Sequence, residues 1–347
     1  MNKPKIVSSF SGAGGIDIGF EKAGFHTVFA SDIWNIATET LKHNFKETEV
    51  ITDSIANINF KNILDKYGLI DGFIGGPPCP PFSKSRFYRK EKKRGLDDED
   101  GFLTVSNYFR AVEELNPKFY FFENVHGFVF KPHKEALELL SKESERLGYK
   151  FFYEIINSAD YGVPQTRQRF ICIGVKKELI DFIFPNKEYS DPEKLKFNTK
   201  PWRTAGDVLN DIDFELPEDI NMEAGSKHKD LLKEIPPGDN YLYFTEERGH
   251  PSPKFKWRSR YWSFLLKLSP ERPSWTIQAS FSNNMGPFHW KNRFLRINEI
   301  KRLQTFDDNY YLHGSFKDQW RQIGNAVPPL LVEKLAKQIF NLYFKDK

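Results

Sequence analysis

Residues 5–20, KIVSSFSGAGGIDIGF, hold the pattern that decides the fold. A β-branched run, IVSSF, stops at a cluster of glycines, and an apolar stretch at helical spacing follows. Glycine lets the backbone turn tightly and approach a ligand before a helix begins, so the stretch is read as strand, turn and helix with a nucleotide-like ligand at the turn. The dinucleotide fingerprint fails, because Asp17 follows Gly12 and Gly14 where a third glycine belongs, and nicotinamide cofactors are disfavoured. A plain turn without a ligand would use the same residues.

Outward from this stretch, short apolar runs alternate with amphipathic helical ones, the pattern of an α/β, doubly wound parallel sheet. Strands are expected at 5–9, 27–31, 50–52, 70–74 and 119–122, and further ones at 151–157 and 169–175. The last, RFICIGV, is apolar enough to be buried on both faces. From about residue 185 the chain turns rich in Pro, Gly and charge without a sustained period. Residues 186–315 are therefore expected to form a second, smaller, loop-rich domain, and 1–185 with 316–347 the first. A helix over 329–344, with Pro at its start, is expected to pack back on the first domain.

The 347 residues suit about two domains. No apolar run is long enough for a membrane span, and no signal-peptide pattern opens the chain. Cys79 and Cys172 are too few for a disulfide scaffold or a paired metal site. A soluble, cytoplasmic, metal-free protein is expected. The formal charge of +4 decides little, but its distribution is informative. Seven Lys or Arg lie between Lys84 and Arg94, and basic residues alternate with Phe255, Trp257, Tyr261 and Trp262 between Lys254 and Lys267. Either stretch could lie along phosphates.

Candidate chemistry falls at the carboxyl ends of the expected strands, where open α/β sheets bind ligands. Asp32, twenty residues after Gly12, could accept hydrogen bonds from ribose hydroxyls, and S-adenosylmethionine has a ribose without a pyrophosphate. Asp53, after the third strand, could contact an adenine amine or serve as a helix N-cap. GGPPCPPFS surrounds Cys79 with four prolines that stiffen the loop around a thiol. A lone Cys is also a common core residue, the role expected of Cys172. FYFFENV brings Glu123 and Asn124 to the same edge; Glu123 suits an acid or hydrogen-bond donor, or an ion pair. Arg167 and Arg169 lie at the start of the 169–175 strand and could hold a ring oxygen or a carboxylate.

Taken together and in order, FSGAGGIDIGF, GGPPCPPFS, ENV, QTRQR, RFLRINEIKRLQTFDD and QIGNAVPP resemble the motifs of the cytosine-5 DNA methyltransferases, bacterial restriction-modification type. The resemblance covers residues 5–175 and 293–332, and the stretch between corresponds to the family's variable target-recognition region. It implies an S-adenosylmethionine-dependent methyltransferase sheet with S-adenosylhomocysteine as product and double-stranded DNA as partner. It assigns Phe10, Gly12, Gly14, Gly15, Asp32, Asp53 and Pro78 to the cofactor, with Asn325 and Val327 closing its pocket. Cys79, Glu123 and Arg169 become catalytic, Arg167 is more structural, and Asn124 supports the Cys79 loop. Ser83, Ser85, Arg86 and Arg89 fall in the stretch that matches the family's DNA-closing loop, while Trp257, Arg258 and Arg260 are candidates for reading DNA. The same aromatic residues could instead form the small domain's core.

The departures are Pro80, where the family has Gln, and Asp100 and Asn298, where it has Arg. The resemblance implies a monomer paired with a restriction endonuclease, flipping its target cytosine out of the duplex. The alternative is a transfer-RNA cytosine-5 methyltransferase, whose Cys-Phe-Thr signature is missing. An inactive DNA-binding module is disfavoured by the intact Cys79, Glu123 and Arg169.

Overall fold

The computed structural model describes residues 3–78, 99–130 and 134–345, with the main chain alone at 99–103, 218, 220 and 221. In the first half each strand leads through a helix to the next. The elements are β1 (Lys5–Ser9), α1 (Gly15–Lys22), β2 (His26–Asp32), α2 (Asn35–Asn44), β3 (Glu49–Thr52), α3 (Phe60–Tyr67), β4 (Gly72–Gly75), α4 (Glu99–Leu115), β5 (Phe119–Val125), α5 (Lys134–Arg146) and β6 (Tyr149–Asn157). The short β7 (Gln165–Thr166) and the long β8 (Gln168–Lys176) follow. The seven-stranded sheet has the order β3-β2-β1-β4-β5-β8-β6. Its direction of progression reverses between β1 and β4, the place where such sheets bind ligands.

One expectation is corrected. Strands β1 to β5 are parallel, but β8 runs antiparallel to both β5 and β6. Only residues 158–167 separate β6 from β8, and a parallel return takes a crossover of a dozen or more residues, usually through a helix. Burial on both faces, which made 169–175 legible as a strand, carries no information about direction. β5 also runs on to Val125, so Glu123 and Asn124 belong to the strand.

The frequent Phe residues fill both faces of this sheet. Phe119 and Phe121 point to Phe20 and Phe25 under α1, while Tyr120 and Phe122 pack against Tyr108 and Phe109 of α4. Ring centroids lie 5.5 Å apart for Phe20 and Phe121 and 5.0 Å apart for Tyr108 and Phe122, edge to face in both cases. The remaining elements are β9 (Tyr189–Ser190), β10 (Lys200–Pro201), α6 (Gly206–Leu209), α7 (Lys229–Glu234), β11 (Ser274–Trp275), α8 (Ile297–Leu303), α9 (Phe316–Asn325) and α10 (Pro329–Tyr343). Proline starts α10, whose buried Leu331, Val332, Leu335 and Ile339 return to the α1 face of the sheet.

Two smaller cores flank this one. Ala224, Leu232, Tyr241, Phe244, Phe264 and Phe288 form a cluster within 224–288. Ala13 and Ile18 of the first turn and helix share another with Leu209, Ile277, Ile300, Leu303 and Ile323. This cluster takes Phe306 and Leu312 from before residue 315 and Trp320 from after it. Among the described residues no helix is long and apolar enough to cross a membrane.

The α1 to α10 contact is set by Gly19, where a Cβ would lie 2.4 Å from the Cβ of Val332. Gly19→Ala should therefore destabilise the fold by roughly 1–3 kcal/mol through overpacking, less the ~1 kcal/mol that alanine contributes to a helix. The urea unfolding midpoint should fall. An unchanged midpoint in the variant would show that α10 shifts freely.

Candidate active site

The reversal of β8 determines what meets at the carboxyl edge of the sheet. An antiparallel strand begins where its neighbour ends, and Arg169 lies opposite Val125 in the register, with Ile171 opposite Glu123. Side chains alternate along strands, so Glu123 and Arg169 share a face as diagonal neighbours. The Arg169 Nε lies 2.8 Å from Glu123 Oε1, with the Glu123 side chain buried and that of Arg169 partly so. Burial raises the Glu123 pKa, and the Arg169 guanidinium opposes the shift. At Gly76 a Cβ would stand 2.9 Å from Glu123 Oε2, so only glycine lets the segment after β4 pass so close to the carboxyl.

Asn124 projects to the opposite face and is buried. Its Nδ2 donates to the Pro77 carbonyl at 3.4 Å, and its Oδ1 accepts the Val125 amide. It therefore holds the chain two residues before Cys79. Cys79, Ser83, Ser85, Arg86 and Arg89 lie outside the described residues. Pro78, the last described residue before the thiol, is exposed. Cys172 is fully buried, and burial pushes its thiol pKa well up, which leaves it chemically inert.

Phe10, Gly12 and Gly14 all adopt positive φ between β1 and α1, +57°, +53° and +77°. The Asp32 carboxylate braces this turn, accepting the Gly12 amide at 2.9 Å and the Trp34 amide at 2.8 Å. Its pKa is raised by burial and held down by those amides. A Cβ at Gly12 would meet nothing within 4 Å, so open space lies before the turn and beside Asp32. At Gly15 a Cβ would lie 2.3 Å from the Val327 carbonyl, which presses the segment after α9 against the same turn. Val327 is buried and Asn325 is exposed. An open cradle of this shape, with a carboxylate at its rim, fits an adenosyl cofactor. Asp53 is exposed and accepts from the Ser54 amide and the Asn57 side chain.

Arg167 is 1% exposed and turns away from the sheet edge to the carbonyls of Ile277, Gly324 and Asn325, at 3.1, 2.8 and 3.4 Å. Trp257, Arg258 and Arg260 are exposed and line a groove of about 690 Å³ together with Tyr261, Trp262 and Tyr241. The aromatic-basic stretch is thus divided: Phe255 and Phe264 pack into the small core, while Trp257, Tyr261 and Trp262 face out.

Several site-side residues were not singled out by the motifs. Tyr310 donates to the Ala13 carbonyl at 2.7 Å, closing the glycine turn from 297 positions away. Arg321 lies 4.5 Å from the Trp34 ring and faces Asp32. Nothing local marks either, since their partners are remote. The Asp17 carboxyl is fully buried near the Ser8 hydroxyl, and neither oxygen accepts a well-formed hydrogen bond. Here a local signal existed, a carboxylate among the apolar residues of a helix start. Burial raises its pKa to about 7.

A carboxyl whose folded pKa exceeds its unfolded value stabilises below the unfolded pKa and loses that contribution as pH rises toward the folded one. Asp17 should therefore cost stability progressively from about pH 4 to pH 7, by up to ~4 kcal/mol. Asp17→Asn should flatten that part of the stability curve. Equal pH slopes for the two proteins in urea unfolding would rule out a buried, proton-holding Asp17.

A glycine turn and Asp32 at the switch point, beneath a sheet whose β8 is reversed between β5 and β6, define the S-adenosylmethionine-dependent methyltransferase fold. Residues 4–341 match the family model described as C-5 cytosine-specific DNA methylase. The chain belongs to this family, and it is an enzyme, a cytosine-5 DNA methyltransferase. It is 35% identical to the type II methyltransferase M.SacI of Streptomyces achromogenes over 96% of this chain and 93% of that one. With M.NgoFVII of Neisseria gonorrhoeae the identity is 33%, over 99% and 88%. Among solved structures, a putative prophage-encoded DNA modification methyltransferase (E. coli) covers 98% of this chain and 99% of its own, with TM-score 0.69 and 23% identity. The S. pombe Dnmt2 methyltransferase gives TM-score 0.67 at 16% identity, over 98% and 99%; at that identity the likeness is one of fold.

Proposed function

We propose that the chain methylates carbon 5 of a cytosine flipped out of a specific double-stranded DNA sequence, with Cys79 as nucleophile, and that it protects DNA from a companion restriction endonuclease. The observation that carries the reading is the ion pair of the buried Glu123 with Arg169 at the sheet edge, beside a chain that Asn124 holds two residues before Cys79. Carbon 5 of cytosine is a weak nucleophile, so the ring must first be made electron-rich. The Cys79 thiolate adds to carbon 6, and Glu123 delivers a proton or hydrogen bond to ring nitrogen 3, where the charge develops. The raised Glu123 pKa suits it to hold that proton once the base arrives. Arg169 orients Glu123 and is within reach of the ring carbonyl. Carbon 5 is then nucleophilic enough to accept a methyl group. Loss of the carbon 5 proton, with departure of Cys79, restores the aromatic ring.

S-adenosylmethionine, when bound, supplies a methyl group on a sulfonium leaving group. Phe10, Gly12, Gly14 and Gly15 form its cradle, Asp32 takes the ribose hydroxyls, Asp53 lies toward the adenine, and Pro78, Asn325 and Val327 close the pocket. Residues 186–315 form the target-recognition domain, with Trp257, Arg258 and Arg260 toward the major groove, and Ser83, Ser85, Arg86 and Arg89 are further DNA-binding residues. Relatives named as type II methyltransferases support the protective role. We take the chain to act as a cytoplasmic monomer.

The central test is trapping on plasmid-length duplex DNA substituted with 5-fluorocytosine, which lacks the proton whose loss releases Cys79. With cofactor present, a denaturation-resistant protein–DNA complex should form, and Cys79→Ala should abolish it. Absence of any complex with the unaltered protein would refute Cys79 as nucleophile, and a complex on transfer RNA alone would move the substrate to RNA. In turnover, Glu123→Gln should lower kcat by roughly 10²–10⁴-fold with cofactor affinity little changed; a kcat within threefold of the parent would remove Glu123 from proton transfer.

A further inference from the structure

Three polar side chains that are almost wholly buried meet behind the candidate site. Gln165 is 0% exposed, Arg167 1% and Gln304 0%. Buried polar groups are retained where their hydrogen bonds are made, and each of these makes bonds to more than one segment. Gln165 accepts the Ile277 amide at 3.1 Å and donates to Gln304. Gln304 in turn donates to the Ile323 and Ala326 carbonyls. The Arg167 fork spans Ile277 on one side and Gly324 and Asn325 on the other. The same two segments touch directly: a Cβ at Gly324 would lie 2.6 Å from the Gln278 carbonyl, to which Trp320 also donates. Segment 274–278 pairs with 165–166 through β11 and β7 and leads into a stretch where Gln278, Ser280 and Asn283 are exposed. Segment 323–327 carries Asn325 and Val327. Arg169 lies two residues beyond Arg167.

We infer that Gln165, Arg167 and Gln304 are positioning residues that set Asn325 and Val327 against the cofactor according to whether DNA occupies the 274–283 side. This rests on the proposed reading that Asn325 and Val327 close the cofactor pocket and that the target domain holds the DNA. The junction links both loops through buried side chains hydrogen-bonded to each main chain, so a displacement of one main chain is transmitted to the other as hydrogen-bond geometry. DNA and cofactor then favour each other's binding by the same factor.

The test is a fluorescence titration of S-adenosylhomocysteine onto the full chain, alone and with excess plasmid DNA from a methylation-free host. DNA should tighten binding at least fivefold for the unaltered protein, the lower range of such couplings. Arg167→Lys keeps the charge and loses the fork, and Gln304→Met keeps the volume and loses the bonds. Each should bring the ratio to within twofold of one. A merely structural role would weaken both titrations alike and preserve the ratio, which would overturn the inference, as would a ratio of one in the unaltered protein. Should Arg167→Lys not fold, Gln304→Met decides. Unchanged binding in Asn325→Ala would instead refute the pocket reading.

Discussion

The ion pair of Glu123 and Arg169 can exist only because β8 runs against β5. In a parallel neighbour, the residue opposite the end of β5 would come from the end of its own strand, and the arginine at the start of β8 would lie at the far edge of the sheet. The Glu123 carboxyl is taken out of water, and a buried charge is tolerated only beside its partner. The rest of the edge is fitted around this pair. Gly76 has no side chain because the Glu123 carboxyl occupies the space, and Asn124, one residue on and facing the other way, ties down Pro77. One reversed strand therefore fixes an acid, its cation and the approach to Cys79 together.

What could be read in the residues beforehand was whatever has a local cause. Strand β1 was legible to its ends, because a β-branched run met glycines. Proline marked the start of α10, and its apolar spacing marked the buried face. Glu123 and Asp32 were legible because a carboxyl ending an apolar strand is costly unless it has a partner. Strand direction was not, since it depends on the length of a connection and not on composition. The destinations of Arg167, Gln165 and Tyr310 were also hidden, because their partners lie 110 to 297 positions away.

The long stretch after residue 185 defeated periodicity for a different reason. It contains little repeating structure, and charge pairing does much of the work that ladders do elsewhere. Arg293 grips Glu299 through two bonds of 2.8 and 2.7 Å, Arg296 holds Asp219, and burial keeps the neighbouring His289 pKa down at about 4. His289 accepts the Lys291 amide at Nδ1. Its Nε2 therefore carries the hydrogen and faces Asp213 at 3.4 Å. Such bonds need no fixed spacing. The exposed Trp257, Tyr261 and Trp262 lie on the outer turns of this stretch.

The near contact of Gly15 with the Val327 carbonyl, and the Tyr310 bond to Ala13, join the first turn of the protein to residues about three hundred positions later. Contacts this distant in sequence form late, because the loop between them must close first. The glycine turn is therefore synthesised well before the wall that closes on it, which comes about three hundred residues later in the chain. The turn between β1 and α1 therefore reaches its final surroundings only after Tyr310 and Val327 have been made.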